Sequence, residues 1–124
     1  MARLKLKIQL YCGDEIAMGP GKADLLDAIA REGSISAAGR ALGMSYRRAW
    51  LLVDTMNRCF EAPLVETRPG GGQGAGARLT AAGSAALAAY RALSQQLGEC
   101  TSGAAYDVLE DAIRAEPLTS QPTE

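Results

Sequence analysis

The sequence predicts a mainly α-helical chain with a small antiparallel β element, and three observations carry that prediction. Apolar residues recur at three- and four-residue spacing through five stretches between positions 22 and 115. Two short β-favouring runs, 64–68 and 77–80, flank an eight-residue segment, 69–76, that is mostly glycine. The 48% hydrophobic content leans on alanine while aromatic residues make up only 5%, which favours small helices packed closely over a broad sheet core.

The chain opens on residues 3–11, where Leu4, Leu6, Ile8 and Leu10 alternate with Lys5, Lys7 and Gln9. Period two with one apolar face predicts a strand lying over a core. Residues 13–21 read as a loop punctuated by Gly19-Pro20-Gly21, and 22–31 as a helix whose inward stripe is Leu25, Leu26 and Ile29, ended by Gly33.

Residues 34–58, SISAAGRALGMSYRRAWLLVDTMNR, organise the rest. Ser34 is placed to accept from an unpartnered backbone N–H as the N-cap of a short helix, with Ala37, Ala38, Ala41 and Leu42 as its apolar stripe. Gly43 stands where a helix end calls for positive φ, and Ser45 is the N-cap of a longer helix. Helix, glycine-containing turn and helix is the outline of a helix-turn-helix. On the second helix Ala49, Leu52, Val53, Met56 and Phe60 share one face, with Tyr46 and Cys59 at its margins. Arg47, Leu51, Asp54 and Arg58 share the other. Arginines near the N-terminus of such a helix suit entry into a major groove, where guanidinium groups pair with guanine edges or phosphates; a solvated helix face is the competing reading.

Pro63 ends that helix. The runs 64–68 and 77–80 then form two strands around the glycine tip, a wing flanked by Arg68 and Arg78. Glycine amides approach phosphates closely because no side chain holds the backbone away. The tip also matches G-x-G-x-x-A spacing, but no G-K-[ST] follows and no later strand completes a dinucleotide fold. Thr80 caps a helix to about residue 97 whose Ala86, Tyr90, Leu93 and Leu97 form a coiled-coil-like seam. That seam either closes the domain's own core or pairs with a second copy; for the second reading, the seam with Leu4 and Leu6 of the first strand is the candidate dimer surface. A weaker acidic helix, 104–115, with Tyr106, Leu109 and Ile113 inward, and a disordered tail from 117 complete the chain. The expected organisation is therefore a winged helix-turn-helix with an N-terminal strand and a long C-terminal dimerisation helix over 1–98, and an acidic tail segment over 99–124.

Charge and cysteine content narrow the chemistry. Net charge is −1, but residues 1–78 hold 11 of the 13 Lys+Arg and 8 of the 14 Asp+Glu, a net +3 on the side of the helix-turn-helix. Cys12, Cys59 and Cys100 are widely spaced and there is no histidine, so neither a zinc site nor a histidine-dependent nucleophile triad is expected. Free thiols in a reducing cytoplasm are the expected state, without a cleaved leader, catalytic residues or a cofactor.

The segments GSISAAGRALGMSYRRAW, MNRCFEAPLVE, GGGQGAGARLT and AAGSAALAAY resemble the DNA-binding half of molybdate-responsive regulators of the ModE family and, more distantly, LysR-type helix-turn-helix domains. The resemblance covers roughly residues 3–97. It implies a homodimeric, sequence-specific transcriptional regulator that binds double-stranded DNA. Its DNA contacts would be Ser45, Tyr46, Arg47 and Arg48 on the recognition helix and Ser34 and Ser36 on the helix before it. The wing would add Arg68, Gly71, Gly72, Gly74 and Arg78. Trp50 matches the family's tryptophan, and its position at the margin of the apolar face implies core or interdomain packing. Full-length members carry a C-terminal oxyanion-binding domain with no counterpart in these 124 residues, so molybdate sensing by this chain alone is not expected. The alternative is an adaptor built on a winged helix that has lost DNA binding.

Overall fold

The computed structural model describes residues 2–68 and 76–122. It contains a hairpin of β1 (Leu10–Cys12) and β2 (Glu15–Met18), then α1 (Pro20–Glu32), α2 (Ile35–Ala41) and α3 (Tyr46–Cys59). A second hairpin, β3 (Val65–Arg68) with β4 (Gly76–Leu79), is followed by α4 (Ala81–Gly98) and α5 (Ala104–Ala112). Each hairpin is a separate two-stranded antiparallel sheet.

The helical core forms where the periodicity places it. Leu25, Leu26 and Ile29 of α1 are fully buried against Ala38 of α2 and Ala49, Val53 and Met56 of α3. Burying one such aliphatic side chain is worth about 1.5–3 kcal/mol relative to leaving it exposed. Gly33 and Gly43 take positive φ, 79° and 71°, as the helix ends require. At the α2–α3 crossing, a Cβ on Gly39 would lie 3.3 Å from both the Ala49 Cβ and the Met44 carbonyl oxygen, so the two helices meet at a small-residue contact.

Three expectations for the N-terminal region are corrected. Residues 3–9 lie outside any strand, because β2, the strand that pairs with this segment, is four residues long and its ladder ends at Leu10. Leu4, Leu6 and Leu10 are consequently about half exposed, and only Ile8 packs against the core. The stretch 13–21 is not all loop: β2 lies within it and buries Ala17 and Met18. Pro20, with its φ already set for a helix and no N–H to lose, begins α1 two residues before the periodicity does.

The C-terminal helices also differ. On α4 the seam is divided: Tyr90 is buried, its hydroxyl donating to the Ile8 carbonyl at 2.8 Å, and Ala86 packs on the core, while Leu93 and Leu97 stay exposed. The α5 helix ends at Ala112, where Ile113 turns to extended backbone. Leu109 and the capping Ile113 are exposed, not inward, because α4 already closes the core; of the three expected inward residues Tyr106 alone is half-buried. Residues 117–122 carry no helix or strand.

Candidate nucleic-acid interface

The α3 helix is amphipathic, and its inward face is fully committed to the core. What remains outward at its N-terminal end is Tyr46, Arg47, Arg48, Trp50 and Leu51, all exposed. Ser45 holds that end in place: its hydroxyl accepts from the Arg48 N–H at 3.1 Å. Trp50 departs from core packing, one of the two roles its place on the helix implied. At 46% exposure it belongs to the outward face, since Ala49 and Val53 already fill the groove toward α1 and α2.

The serines of the preceding helix do local work. Ser34 accepts from the Ala37 N–H at 3.0 Å as the N-cap, and Ser36 accepts from the Arg40 guanidinium at 2.9 Å. Both lie at the start of α2, so their bonds set how the short helix is presented.

Asn57, which the sequence marks only as part of a motif, places the wing. Its Oδ1 accepts from the Leu64 and Val65 N–H groups at 2.8 and 3.2 Å, and its Nδ2 donates to the Val65 carbonyl at 3.0 Å. The wing is anchored from two other sides as well. The Ala77 N–H donates to the Gly33 carbonyl at 2.8 Å, and the Thr80 hydroxyl donates to the Pro63 carbonyl at 2.6 Å. The strands pair Val65 with Leu79 and Arg68 with Gly76, so Arg68 stands exposed at the last described rung before the tip. Arg78 faces Glu66 across the ladder and is ion-paired to it. Gly71, Gly72 and Gly74 lie outside the described residues.

Lys22 is a second residue to which the sequence alone assigns no role. Burial is the main reason its ammonium pKa sits below the ordinary 10.5, and the nearby Arg48 charge adds to it against the opposing Cys59 and Glu15. Lys22 is thus a half-buried lysine of α1, with the Arg48 charge among those acting on it.

At the far end of α3, Arg58 is fixed by a two-pronged bond to Glu15 of β2 at 2.7 and 2.8 Å and a further bond to Asp54 at 2.9 Å. These carboxylates, Glu15 first, raise the guanidinium pKa further above its ordinary value. Arg58 is thus a clamp between the first hairpin and α3. Among the described residues no group of His, Cys, Asp and Glu could hold a metal ion, and no helix is long and apolar enough to cross a membrane.

Three helices, a hairpin wing and an outward-facing second helix of the helix-turn-helix define a winged helix-turn-helix domain. The chain belongs to the lysR family of bacterial regulatory helix-turn-helix proteins, whose family model matches residues 22–84, from α1 into the start of α4. It is 45% identical over 98 residues to the molybdenum-pterin-binding protein MopA of Rhodobacter capsulatus, covering 79% of this chain and 35% of MopA. It is 38% identical over 117 residues to the DNA-binding transcriptional dual regulator ModE of Escherichia coli K12, covering 94% of this chain and 41% of that regulator. The chain therefore spans well under half the length of these relatives. The DNA-binding domain in the crystal structure of a CbnR–DNA complex shares the fold, with a TM-score of 0.52 at 23% identity over 76% of this chain and 97% of that one.

Proposed function

We propose that this chain is a sequence-specific, double-stranded-DNA-binding transcriptional regulator that acts as a homodimer. The observation that carries the reading is the exposure of Arg47 and Arg48 at the capped N-terminal end of α3, on the helix whose other face is core. That end would enter the major groove, with Tyr46, Trp50 and Leu51 beside the arginines. Arg68 would reach the adjacent backbone, and the wing glycines Gly71, Gly72 and Gly74 would follow it. Arg78 contributes from its Glu66 pair. Ser34, Ser36 and Ser45 serve chiefly by fixing the helix ends.

For the dimer we propose Leu93 and Leu97 of α4, with Leu4 and Leu6, as the contact surface. These apolar side chains are 36–49% exposed, whereas Tyr90 and Ala86 are already engaged within the protomer. Two recognition helices about 34–36 Å apart would then read half-sites one helical turn apart. Relatives named for molybdenum supply the proposed physiological setting, and no oxyanion site is assigned to these residues.

The test is selection from random duplexes at two salt concentrations, followed by anisotropy titration of the winning sequence. A pseudo-palindrome bound with a log–log salt slope of about −0.9 per phosphate contact supports the reading. Salt-insensitive behaviour with no enriched duplex rejects it and favours an adaptor. Sedimentation of Leu93→Asp with Leu97→Asp reads the dimer separately: a wild type that sediments as a monomer removes the proposed surface.

A further inference from the structure

One arginine joins the long helix to the core at the point where that helix leaves it. The first half of α4 is held by packing: Gly83 and Tyr90 are buried, and Ala82, Ala86 and Leu87 pack against the core. Beyond Tyr90 every residue of α4 is exposed except the half-buried Ser94, so its last two turns, with Leu93 and Leu97, stand clear of the core. Arg91 sits at that boundary. Its Nη2 donates to Asp24 Oδ1 at 2.9 Å and to Asp27 Oδ2 at 2.6 Å, two carboxylates three residues apart on one face of α1. Its neighbour Tyr90 donates to the Ile8 carbonyl at 2.8 Å. Leu25, Leu26 and Ile29 of the same α1 are packed with Ala49, Val53 and Met56 of α3. A line of contacts thus runs from the Leu93–Leu97 end of α4 through Arg91 and α1 to the recognition helix.

We infer that Arg91 is a positioning residue that sets half-site spacing: by tying α4 to Asp24 and Asp27 it fixes the angle between the free end of α4 and the recognition helix. The inference rests on the homodimer reading above, in which Leu93 and Leu97 meet a second copy. In such a dimer the direction of α4 where it leaves the core decides how far apart, and at what relative rotation, the two recognition helices lie. A duplex tolerates little error in either. One base pair moves a half-site about 3.4 Å along the axis and about 35° around it. The three side chains are 43–56% exposed, so solvent screening leaves the fork a small contributor to stability. What it supplies is direction. One guanidinium nitrogen held between two carboxylates, themselves fixed relative to each other by the α1 backbone, resists sideways rotation of α4 more than a single pair does.

The full chain is titrated by anisotropy with duplexes carrying the selected half-site alone, or twice at the selected spacing and at one, two and three base pairs more or fewer. Wild type is expected to show one spacing optimum, with affinity falling about tenfold or more at two base pairs from it. Arg91→Ala, and Asp24→Asn with Asp27→Asn from the other side, are expected to flatten that fall to about threefold or less. Affinity for the single half-site and dimer sedimentation should be unchanged, and the urea midpoint should stay near that of wild type. Arg91→Lys, whose ammonium still reaches toward both carboxylates, should restore the optimum. A profile in Arg91→Ala as sharp as that of wild type overturns the assignment. So does an equal loss on every duplex, the single half-site included, which is what a merely structural role produces. A wild type that sediments as a monomer, or binds two half-sites no better than one, rejects the homodimer reading itself and this inference with it.

Discussion

Asn57 and Val65 exchange hydrogen bonds in both directions, the side-chain Oδ1 accepting from the Val65 N–H and the Nδ2 donating to its carbonyl. One amide thereby fixes the first strand of the wing to the recognition helix, and Leu64 adds a third bond at 2.8 Å. Only an amide side chain offers an acceptor and a donor at this spacing. Asn57→Ala leaves half-buried backbone groups of residues 64 and 65 short of partners, at a cost of about 1–3 kcal/mol. Asn57→Asp keeps the acceptor but places a charge against the Val65 carbonyl. Both variants are expected to lower the urea midpoint, and both should weaken DNA binding by loosening the wing. A midpoint equal to wild type for Asn57→Ala would remove Asn57 from this role.

The wing's other side gives a purely steric prediction. Gly83 in the first turn of α4 lies so close to Leu64 that a Cβ there would be 2.0 Å from the Leu64 carbonyl oxygen. That oxygen already accepts from the Thr80 N–H at 2.9 Å, so it has little freedom to retreat. Gly83→Ala should therefore destabilise the domain by at least about 1–3 kcal/mol, the usual range for overpacking. Gly98 is the control, because a Cβ placed there would meet nothing within 4 Å. Gly98→Ala should be neutral to stabilising by about 0.4–1 kcal/mol through reduced unfolded-state freedom. Thermal denaturation of the two variants beside wild type reads the contrast directly.

These two contacts mark where the sequence stops being informative. Helix caps, turn glycines and the core faces of α1 and α3 are local properties, so Ser34, Ser45, Gly33 and Gly43 are legible with their roles. The exposed Arg47 and Arg48 are legible too, because the inward stripe of α3 dictates the outward one. Contacts between elements are not. Nothing in the pattern says that Asn57 reaches residues 64 and 65 or that Arg58 reaches Glu15. The N-terminal alternation misleads because period two records an apolar face but not whether a partner strand exists. Trp50 misleads because its angle on the helix is marginal, and the space it would have filled is taken by Ala49 and Val53. Leu109 and Ile113 mislead for a similar reason: an amphipathic stripe records a preference for burial, and α4 has already satisfied the core.

The clamp between the first hairpin and α3 predicts an acid-side effect. The Arg58 hydrogen bond is the main cause holding the Glu15 carboxyl below its ordinary 4.5. A carboxylate whose pKa is lower folded than unfolded contributes stability above the unfolded value and loses it as pH falls through the folded one. Glu15→Gln should therefore lower the urea midpoint near neutral pH, and the gap to wild type should close below pH 4.5. The side chains are about half exposed, so added salt should also shrink the gap. A gap that stays constant across the acid range would show that the Glu15–Arg58 pair contributes through packing and not charge.

Trp50 is the chain's single tryptophan and stands exposed on the outward face of α3, near Arg47. It therefore reports on that face without labelling. If the N-terminal end of α3 enters a major groove, the indole passes from water to a site beside bases and sugars. Its emission should then shift or quench on adding the selected duplex, with a midpoint matching the anisotropy titration. Arg47→Ala and Arg48→Ala should move both midpoints together to weaker binding, and whichever arginine reaches a base edge should cost about 1–3 kcal/mol. The other should weaken all duplexes alike and reduce the salt slope by about one phosphate's worth. Trp50→Phe separates probe from participant: it abolishes the signal, and its effect on affinity measured by anisotropy shows how far the indole itself contributes to binding. Duplex binding that leaves Trp50 emission unchanged would place the contact on another surface.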